Sequence, residues 1–145
     1  MTTPQNFTVK IAKLPDDLEA LRAIREAVFI VEQKVPKDLE WDGLDGEAIH
    51  ALAVDQSGQP VGTARLLPSG QIGRMAVMKP WRSRGTGRAL LTSLLNAAKA
   101  ANMTGIYLNA QKEAIQFYEK QGFQVTGPEF YEANIPHQKM EIPSE

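Results

Sequence analysis

The feature that most constrains this chain is a turn rich in glycine and arginine, which lies between an apolar run and a leucine-rich segment in AVMKPWRSRGTGRALLTSLL (residues 76–95). The leucines recur at helical spacing, so the turn is predicted to join a strand to an amphipathic helix. Gly85 and Gly87 let the backbone approach a ligand closely. The first N–H groups of the helix lack intrahelical partners, and the helix dipole adds positive potential that suits phosphate oxygens. Three arginines can add side-chain donors: Arg82, Arg84 and Arg88.

Apolar periodicity along the rest of the chain predicts one domain, residues 1–145, with a mixed sheet and helices on its faces, of the α+β or α/β class. The middle of the chain predicts an antiparallel meander of three strands separated by turn residues. The 145 residues, 43% of them hydrophobic, are enough to bury a core. Strands are expected in NFTVKIA, AIHALAVD, QPVGTARLL, GQIGRMAVM, IYLNA, FQVTG and HQKMEI.

Charge and cysteine content narrow the classes of function. The formal net charge is -1, so no overall field draws the protein to nucleic acid or to an anionic membrane. The sequence contains no cysteine, which excludes disulfides, thiolate metal sites and a thiol nucleophile. No apolar run reaches membrane-spanning length, and MTTPQNFTVK lacks the apolar core of a signal peptide. We therefore expect a cytoplasmic protein with no nucleic-acid, membrane or metal partner.

Three kinds of phosphate-binding turn compete to explain the glycine turn. A Walker loop ends in Gly-Lys-Ser/Thr, which Gly87-Arg88-Ala89 does not supply. A dinucleotide fingerprint needs a third glycine where Leu90 stands, and it belongs near the start of a parallel sheet. The pyrophosphate loop of acyl-coenzyme A binders, Gln/Arg-x-x-Gly-x-Gly/Ala, matches Arg82-x-x-Gly85-x-Gly87.

Two segments together make the chain resemble the GNAT superfamily of N-acetyltransferases: IGRMAVMKPWRSRGTGRALLTSLL and YLNAQKEAIQFYEKQGF. NIPHQKMEI, with its proline-histidine pair, is similar to a small bacterial subgroup that includes the glyphosate N-acetyltransferase type. The resemblance implies a splayed sheet with about four helices. It also implies that acetyl-coenzyme A is the co-substrate, and that acetyl is transferred to a primary amine of a small molecule or peptide in a ternary complex. Members of the family are often homodimers.

The resemblance also implies roles for residues around the donor. The strand before the turn would pair with the pantetheine arm, and a backbone N–H at Ala76 would polarise the thioester carbonyl. Tyr118 would be the general acid that faces the sulfur, its proton passing downhill to the leaving thiolate. The residues assigned to coenzyme A are Met75, Ala76, Val77, Arg82, Ser83, Arg84, Gly85, Thr86, Gly87, Arg88, Asn109 and Tyr118.

The general base is the point where this chain departs from the family. Many members carry a glutamate on the strand before the turn, but residues 71–75 contain no carboxylate and offer Arg74 instead. His137 follows Pro136, matches the subgroup pattern and is the expected base, because histidine titrates near neutral pH. Glu32 or Glu40 acting through water, or an acceptor that arrives neutral, are the alternatives.

An acidic stretch after the first helix is expected to border the acceptor site. It resembles a calcium loop from Asp38, but Ile49 stands where the closing glutamate belongs. Its carboxylates would form an electronegative lip for a cationic amine, with Trp41 packing on the acceptor. The acceptor-binding residues are expected to be Glu32, Trp41, Asp42 and Arg74.

Two other functions stay open at the level of the sequence. The first is a non-catalytic acyl-coenzyme A binder that senses or regulates, in which Tyr118 would be idle. The second is a phosphate-loop nucleotide binder, which competition by ATP but not by coenzyme A would indicate.

Overall fold

The computed structural model describes residues 7–143, which form one eight-stranded sheet with helices on its faces. The helices are α1 (Leu18–Arg25), α2 (Lys37–Glu40), α3 (Thr86–Ala100) and α4 (Ile115–Lys120). The strands are β1 (Phe7–Ile11), β2 (Ile49–Asp55), β3 (Pro60–Leu66), β4 (Gln71–Val77), β5 (Tyr107–Gln111), β6 (Gln124–Val125), β7 (Phe130–Glu132) and β8 (Ile135–Glu141).

The order of strands in the sheet is β1-β2-β3-β4-β5-β8-β6, with β7 also pairing to β8. Adjacent strands run antiparallel except β4 and β5, which are parallel. The predicted mixed sheet and the meander of β2, β3 and β4 are therefore confirmed. None of the helices in residues 7–143 is long and apolar enough to cross a membrane.

The sheet splays between β4 and β5. These two strands pair only at Gln71–Tyr107 and Ile72–Leu108 and then separate. On the other edge of β4, two residues, Arg74 and Met75, stand opposite one residue of β3, which makes a β-bulge. A bulge bends its strand, so this one turns the end of β4 away from β5 and opens a gap in the sheet.

The core lies on both faces of the sheet, as the apolar stripes of the helices predict. The leucines of α3 pack on one face, where Leu90, Leu91 and Leu94 are fully buried. Leu21 and Ile24 of α1 pack on the other face. The first helical segment continues past α1 as a π-helix, Glu26–Glu32, a form that often occurs at functional sites.

The ends of two elements differ from the sequence-based expectation. Asp16 and Glu19 predict a capped helix start, but α1 begins at Leu18 after Asp17, whose carboxylate accepts the backbone N–H of Lys13 instead. At the C-terminal end, the sequence predicts two strands and misses β7. That strand has only three residues, too few for a period-2 pattern to show, and pairing with β8 defines it.

Candidate active site

A cleft of about 710 Å³ opens where β4 and β5 separate. The end of β4 and the turn before α3 form one side of it. The end of β5, α4 and the β7–β8 hairpin form another, and the π-helix and α2 border it as well. Because β4 lacks a partner on the β5 side beyond Ile72, a strand-like edge of backbone N–H and C=O groups faces this gap.

The turn before α3 has a backbone conformation that suits an anion. Ser83 and Gly85 have φ of 61° and 83°, and the helix starts immediately after at Thr86, whose hydroxyl donates to the Trp81 carbonyl at 2.9 Å. A Cβ at Gly87 would lie 3.5 Å from the Phe117 ring and 3.7 Å from the Met75 sulfur, whereas one at Gly85 would meet nothing within 4 Å. The missing side chains therefore leave space for a ligand beside the free N–H groups of the first turn.

Two of the three predicted arginine donors are engaged within the protein. Arg82 forms a bidentate ion pair with Glu32 at 2.8 and 2.9 Å and donates from Nε to the Val77 carbonyl at 2.7 Å. The hydrogen bond between them lowers the pKa of Glu32 and raises that of Arg82. Arg84 lies over the Trp81 ring at 5.0 Å, away from the cleft. Arg88 lines the cleft, so it is the arginine best placed to meet a phosphate.

Tyr118 is buried at the wall of the cleft. Its hydroxyl donates to the Met75 sulfur at 3.6 Å, and its ring packs edge-on against Phe117 and Phe123. Burial raises the pKa of Tyr118 to about 12. A thiol ordinarily has a pKa near 8.5, so full proton transfer to a thiolate is uphill by roughly 5 kcal/mol. The prediction of a downhill transfer is therefore wrong, and the Tyr118 hydroxyl stays protonated near neutral pH.

His137 is 8% exposed and faces the cleft from β8. Its Nδ1 lies 2.7 Å from the Ile135 carbonyl, which can only accept, so Nδ1 carries the proton. The ring of Phe130 stacks on the imidazole at 5.9 Å. With Nδ1 committed, Nε2 holds the lone pair of the neutral ring, 4.0 Å from a carboxylate oxygen of Glu132.

Arginines pair most carboxylates of the acidic stretch, so the predicted electronegative lip is largely neutralised. The buried Arg25 donates to Glu40 at 2.7 Å and to Asp45 at 2.8 Å, and Arg65 donates to Asp42 at 2.9 Å and to Asp45 at 3.0 Å. Burial raises the pKa of Glu40 against the opposing hydrogen bond from Arg25. The expectation of free negative charge here is thus corrected: three carboxylates and three arginines, counting Arg74, neutralise one another.

Arg74 belongs to the same network and also lines the cleft. It sits in the bulge of β4 with φ of 50°, and its Nη2 donates to the Leu39 carbonyl at 3.1 Å and to Asp42 at 3.0 Å. Its Nε is buried and 3.3 Å from Glu40, but without hydrogen-bond geometry. Burial lowers the pKa of Arg74. The strand for which the resemblance implied a glutamate base therefore presents a cation that is tied to the α2 segment.

With this geometry in place, comparison with known proteins assigns the family. Residues 16–144 match the family model described as the acetyltransferase (GNAT) domain. This chain belongs to the GNAT acetyltransferase family. It is 38% identical to the uncharacterised N-acetyltransferase YjcF of Bacillus subtilis, over 90% of this chain and 95% of that protein.

Solved structures agree with the GNAT assignment. An acyl-CoA N-acyltransferase from Pseudomonas aeruginosa is 34% identical with a TM-score of 0.81, covering 94% of this chain and 98% of that one. A structure from Lactobacillus plantarum, described as an N-acetyltransferase, is 28% identical with a TM-score of 0.85, covering 96% and 100%. The predicted recognition of the family, and of a GNAT-type N-acetyltransferase as the class of enzyme, is confirmed.

The cleft of this GNAT domain brings most of the predicted residues together. Ala76 is buried against the apolar face of α1, while its neighbours line the cleft. The predicted residues that line it are Arg74, Met75, Val77, Arg82, Ser83, Gly85, Thr86, Gly87, Arg88, Asn109, Tyr118 and His137. Those outside its lining are Glu32, Trp41, Asp42, Ala76 and Arg84.

Trp41 is outside the cleft for a physical reason. Its ring lies under the guanidinium groups of Arg22 and Arg25, at 5.5 and 4.9 Å, so it supports the buried network instead of an acceptor. Glu32 and Asp42 are held in the ion pairs with Arg82 and Arg65. The structure therefore removes three of the four predicted acceptor residues from the cleft and keeps Arg74.

Several cleft residues were missed because they come from distant parts of the chain. Gln111 at the end of β5 donates to Gln33, just after the π-helix, at 2.9 Å, and the two amides join both sides of the cleft. Nothing in the local pattern of either residue announces this contact across 78 positions. The only signal was the long segment between α1 and β2, since long loops in compact domains are usually functional. The other missed residues include Phe29, Val35, Leu39, Glu132, Ala133 and Ile135.

Proposed function

We propose that this protein transfers an acetyl group from acetyl-coenzyme A to a primary amine of a small molecule or peptide by direct attack within a ternary complex. The observation that carries the proposal is the convergence of the α3 turn, the unpaired edge of β4 and Tyr118 on one cleft. The Pseudomonas relative, named for acyl-coenzyme A, supports the choice of donor. A homodimer remains a prediction.

The residues of the cleft fit coenzyme A. The first N–H groups of α3 and the Arg88 side chain suit the pyrophosphate. Met75, Gly87 and Phe117 line the cleft together, and the absence of a side chain at Gly87 leaves this part of the wall open to the pantetheine arm. The free edge of β4 can pair with that arm as an added strand would. When bound, acetyl-coenzyme A supplies the activated acyl group.

Residues of the cleft then remove the proton from the amine and stabilise the leaving thiolate. His137 Nε2 takes a proton from the amine, because its lone pair faces the cleft. The Tyr118 O–H, which donates to the Met75 sulfur in this structure, would turn to the thioester sulfur and stabilise the leaving thiolate as a hydrogen-bond donor. Ala76 remains the proposed source of the N–H that polarises the carbonyl. The chain has no cysteine to form an acyl-enzyme thioester, which favours direct attack.

The binding half of the proposal is tested by Gly87→Val. Because φ at Gly87 is not positive and a Cβ there would come no closer than 3.5 Å to its surroundings, the backbone and Cβ are unstrained, and the valine methyl groups extend beyond the Cβ at the cleft wall. We expect the affinity for acetyl-coenzyme A, measured by calorimetric titration, to fall at least about tenfold. Gly85→Val is a poorer test, since φ of +83° strains any side chain there.

Gly46→Val is the matched control. Gly46 belongs to the acidic stretch and does not line the cleft, and a Cβ added there would have no neighbouring atom within 4 Å. It should bind as the wild type does. Unchanged affinity in a folded Gly87→Val variant would contradict the assignment of the donor site. Competition by ATP but not by coenzyme A would instead support a nucleotide binder.

The main alternative, a non-catalytic acyl-coenzyme A binder, is tested by turnover. Thiol release is measured with acetyl-coenzyme A and a panel of primary amines. The position of both the Tyr118 hydroxyl and the His137 lone pair at one cleft favours an enzyme. Tight binding without thiol release for any amine would support the sensing function.

A further inference from the structure

We propose that Glu132 is a specificity-determining residue, whose carboxylate and the Nε2 of His137 together bind the acceptor as an ammonium ion. The ammonium is held between the two groups while His137 removes one proton. This inference rests on the proposed acetyl transfer, and it names the class of acceptor as a cationic primary amine. It also moves the recognition of that charge from the acidic stretch to the β7–β8 hairpin.

The hairpin places both groups on the same surface. Phe130 pairs with His137 and Glu132 pairs with Ile135, so these four side chains share one face of the two strands. Glu132, Ile135 and His137 line the cleft, whereas Tyr131 points to the other face and is 69% exposed. Glu132 and His137 are diagonal neighbours, a separation that long side chains can bridge.

The hairpin is also tight enough to hold this arrangement. Its two-residue turn has positive φ at both positions, 52° at Ala133 and 64° at Asn134, as a type I′ turn requires. The His137 ring is fixed by the Ile135 carbonyl and by stacking on Phe130. The imidazole therefore presents Nε2 in a defined direction, and Glu132 is the carboxylate that meets it.

The distance between the two groups suits an ammonium. With Nδ1 protonated, both Nε2 of His137 and the Glu132 oxygen are acceptors, and they face each other at 4.0 Å. A nitrogen about 2.8 Å from each acceptor would subtend roughly 90° between them, near the tetrahedral angle between two N–H bonds.

The charges around this end of the cleft agree with a cationic ligand. Lys112, which follows β5, pairs with Glu129 at 3.7 Å, and Lys139 of β8 pairs with Glu141 at 3.7 Å. Arg74 of β4 is held by Glu40 and Asp42. Glu113 lines the cleft and adds a further negative charge. Lys112, Lys139 and Arg74 are thus each paired with a carboxylate.

Each of the three protons on the acceptor nitrogen can be accounted for during acetyl transfer with the groups at this site. The acceptor arrives with three protons on nitrogen, and His137 takes the first and later releases it to solvent. The neutral amine attacks the thioester carbonyl carbon, and the carbon–sulfur bond breaks. The second proton leaves the nitrogen and reaches the thiolate through the Tyr118 hydroxyl, which ends as O–H. The third remains on the amide.

The test compares Glu132→Gln with Glu129→Gln, a carboxylate removed from the neighbouring surface pair with Lys112. In acetyl transfer to an amine that turns over, Glu132→Gln should raise the acceptor KM about tenfold or more. The KM for acetyl-coenzyme A should stay unchanged, and Glu129→Gln should behave as the wild type. An unaltered acceptor KM in Glu132→Gln would overturn the proposal.

A second measurement needs no turnover, so that failure of the proposed reaction is separable from failure of this inference. Ethylamine, an ammonium ion at neutral pH, is titrated while the imidazole proton resonances of His137 are followed by NMR, with His137→Gln used for assignment. We expect saturable shifts in the wild type and in Glu129→Gln, weakened at least about tenfold in Glu132→Gln. Shifts of equal strength in all three proteins, or none in the wild type, would refute the ammonium site.

Discussion

Replacing Tyr118 by phenylalanine separates catalysis from stability in this structure. The change removes one oxygen, whose described hydrogen bond is to the Met75 sulfur at 3.6 Å. A thioether is a weak acceptor, and the ring keeps its contacts with Phe117 and Phe123. The free energy of unfolding should therefore change by less than about 1 kcal/mol, which in a chain of this size shifts Tm by no more than about 4 °C.

The expected effect of Tyr118→Phe on the reaction is much larger. Loss of the O–H that meets the leaving thiolate should lower kcat about 10²–10⁴-fold, or roughly 3–5 kcal/mol in activation free energy. The affinity for acetyl-coenzyme A should change little, since the pyrophosphate turn is untouched. Because burial raises the pKa of Tyr118 to about 12, the wild-type enzyme should show no basic limb from this group below about pH 10.

The assay is thiol release detected with a thiol-reactive dye, which has no background from the protein because the chain contains no cysteine. Melting temperature and calorimetric affinity are measured on the same preparation. Full turnover in a folded Tyr118→Phe variant would refute the argument and show that solvent or another group serves the thiolate. A fall in Tm well beyond 4 °C would instead show that the hydroxyl has a structural role.

Three further predictions concern stability and the turn. Burial alone would raise the pKa of Asp42, but its hydrogen bonds and charge interactions with Arg65 and Arg74 lower that pKa from 3.8 to about 2. The ionised Asp42 therefore stabilises the folded state fully above about pH 5, and this contribution is lost as the pH falls towards 2. Asp42→Asn should therefore reduce the unfolding free energy by about 1–2 kcal/mol at pH 7 and little at pH 2; equal losses at both would contradict this. Arg82→Gln should free the turn and weaken acetyl-coenzyme A binding about three- to tenfold in a calorimetric titration; unchanged affinity would show the Glu32 pair to be dispensable. Ala133→Asn should raise Tm by about 1–3 °C in a thermal melt, because asparagine accepts positive φ more readily; a lower Tm would exclude strain there.

The sequence by itself determined the parts of this protein that depend on local pattern. Leucines at helical spacing specify α3, because an apolar stripe must face a sheet wherever that helix packs. Gly85 and Gly87, followed by that helix, specify a tight turn with a backbone that suits an anion, because positive φ, absent side chains and free N–H groups are properties of neighbouring residues. The two motif segments then sufficed to recognise the GNAT family.

Only the tertiary structure decided which charges are free. The sequence of the acidic stretch does not show whether its carboxylates are exposed to water or paired with arginines. In the fold, Asp42 pairs with Arg65 across 23 positions, and Glu32 pairs with Arg82 across 50. Such pairings depend on how β3, the π-helix and the turn pack together. Periodicity predicts which residues of one element are buried, but it does not predict which residues of another element contact them.

The surroundings of His137 were decided in the same way. Its proline-histidine neighbourhood marks it in the sequence, but β7 is too short to be predicted, and so Glu132 and Phe130 were not associated with it. The register of the hairpin brings these side chains to one face, and a shift of one residue would send Glu132 to the outer face, where Tyr131 now lies. The long-range register of β8 against β5 and β7 therefore sets the environment of the candidate base, which no local stretch of sequence could specify.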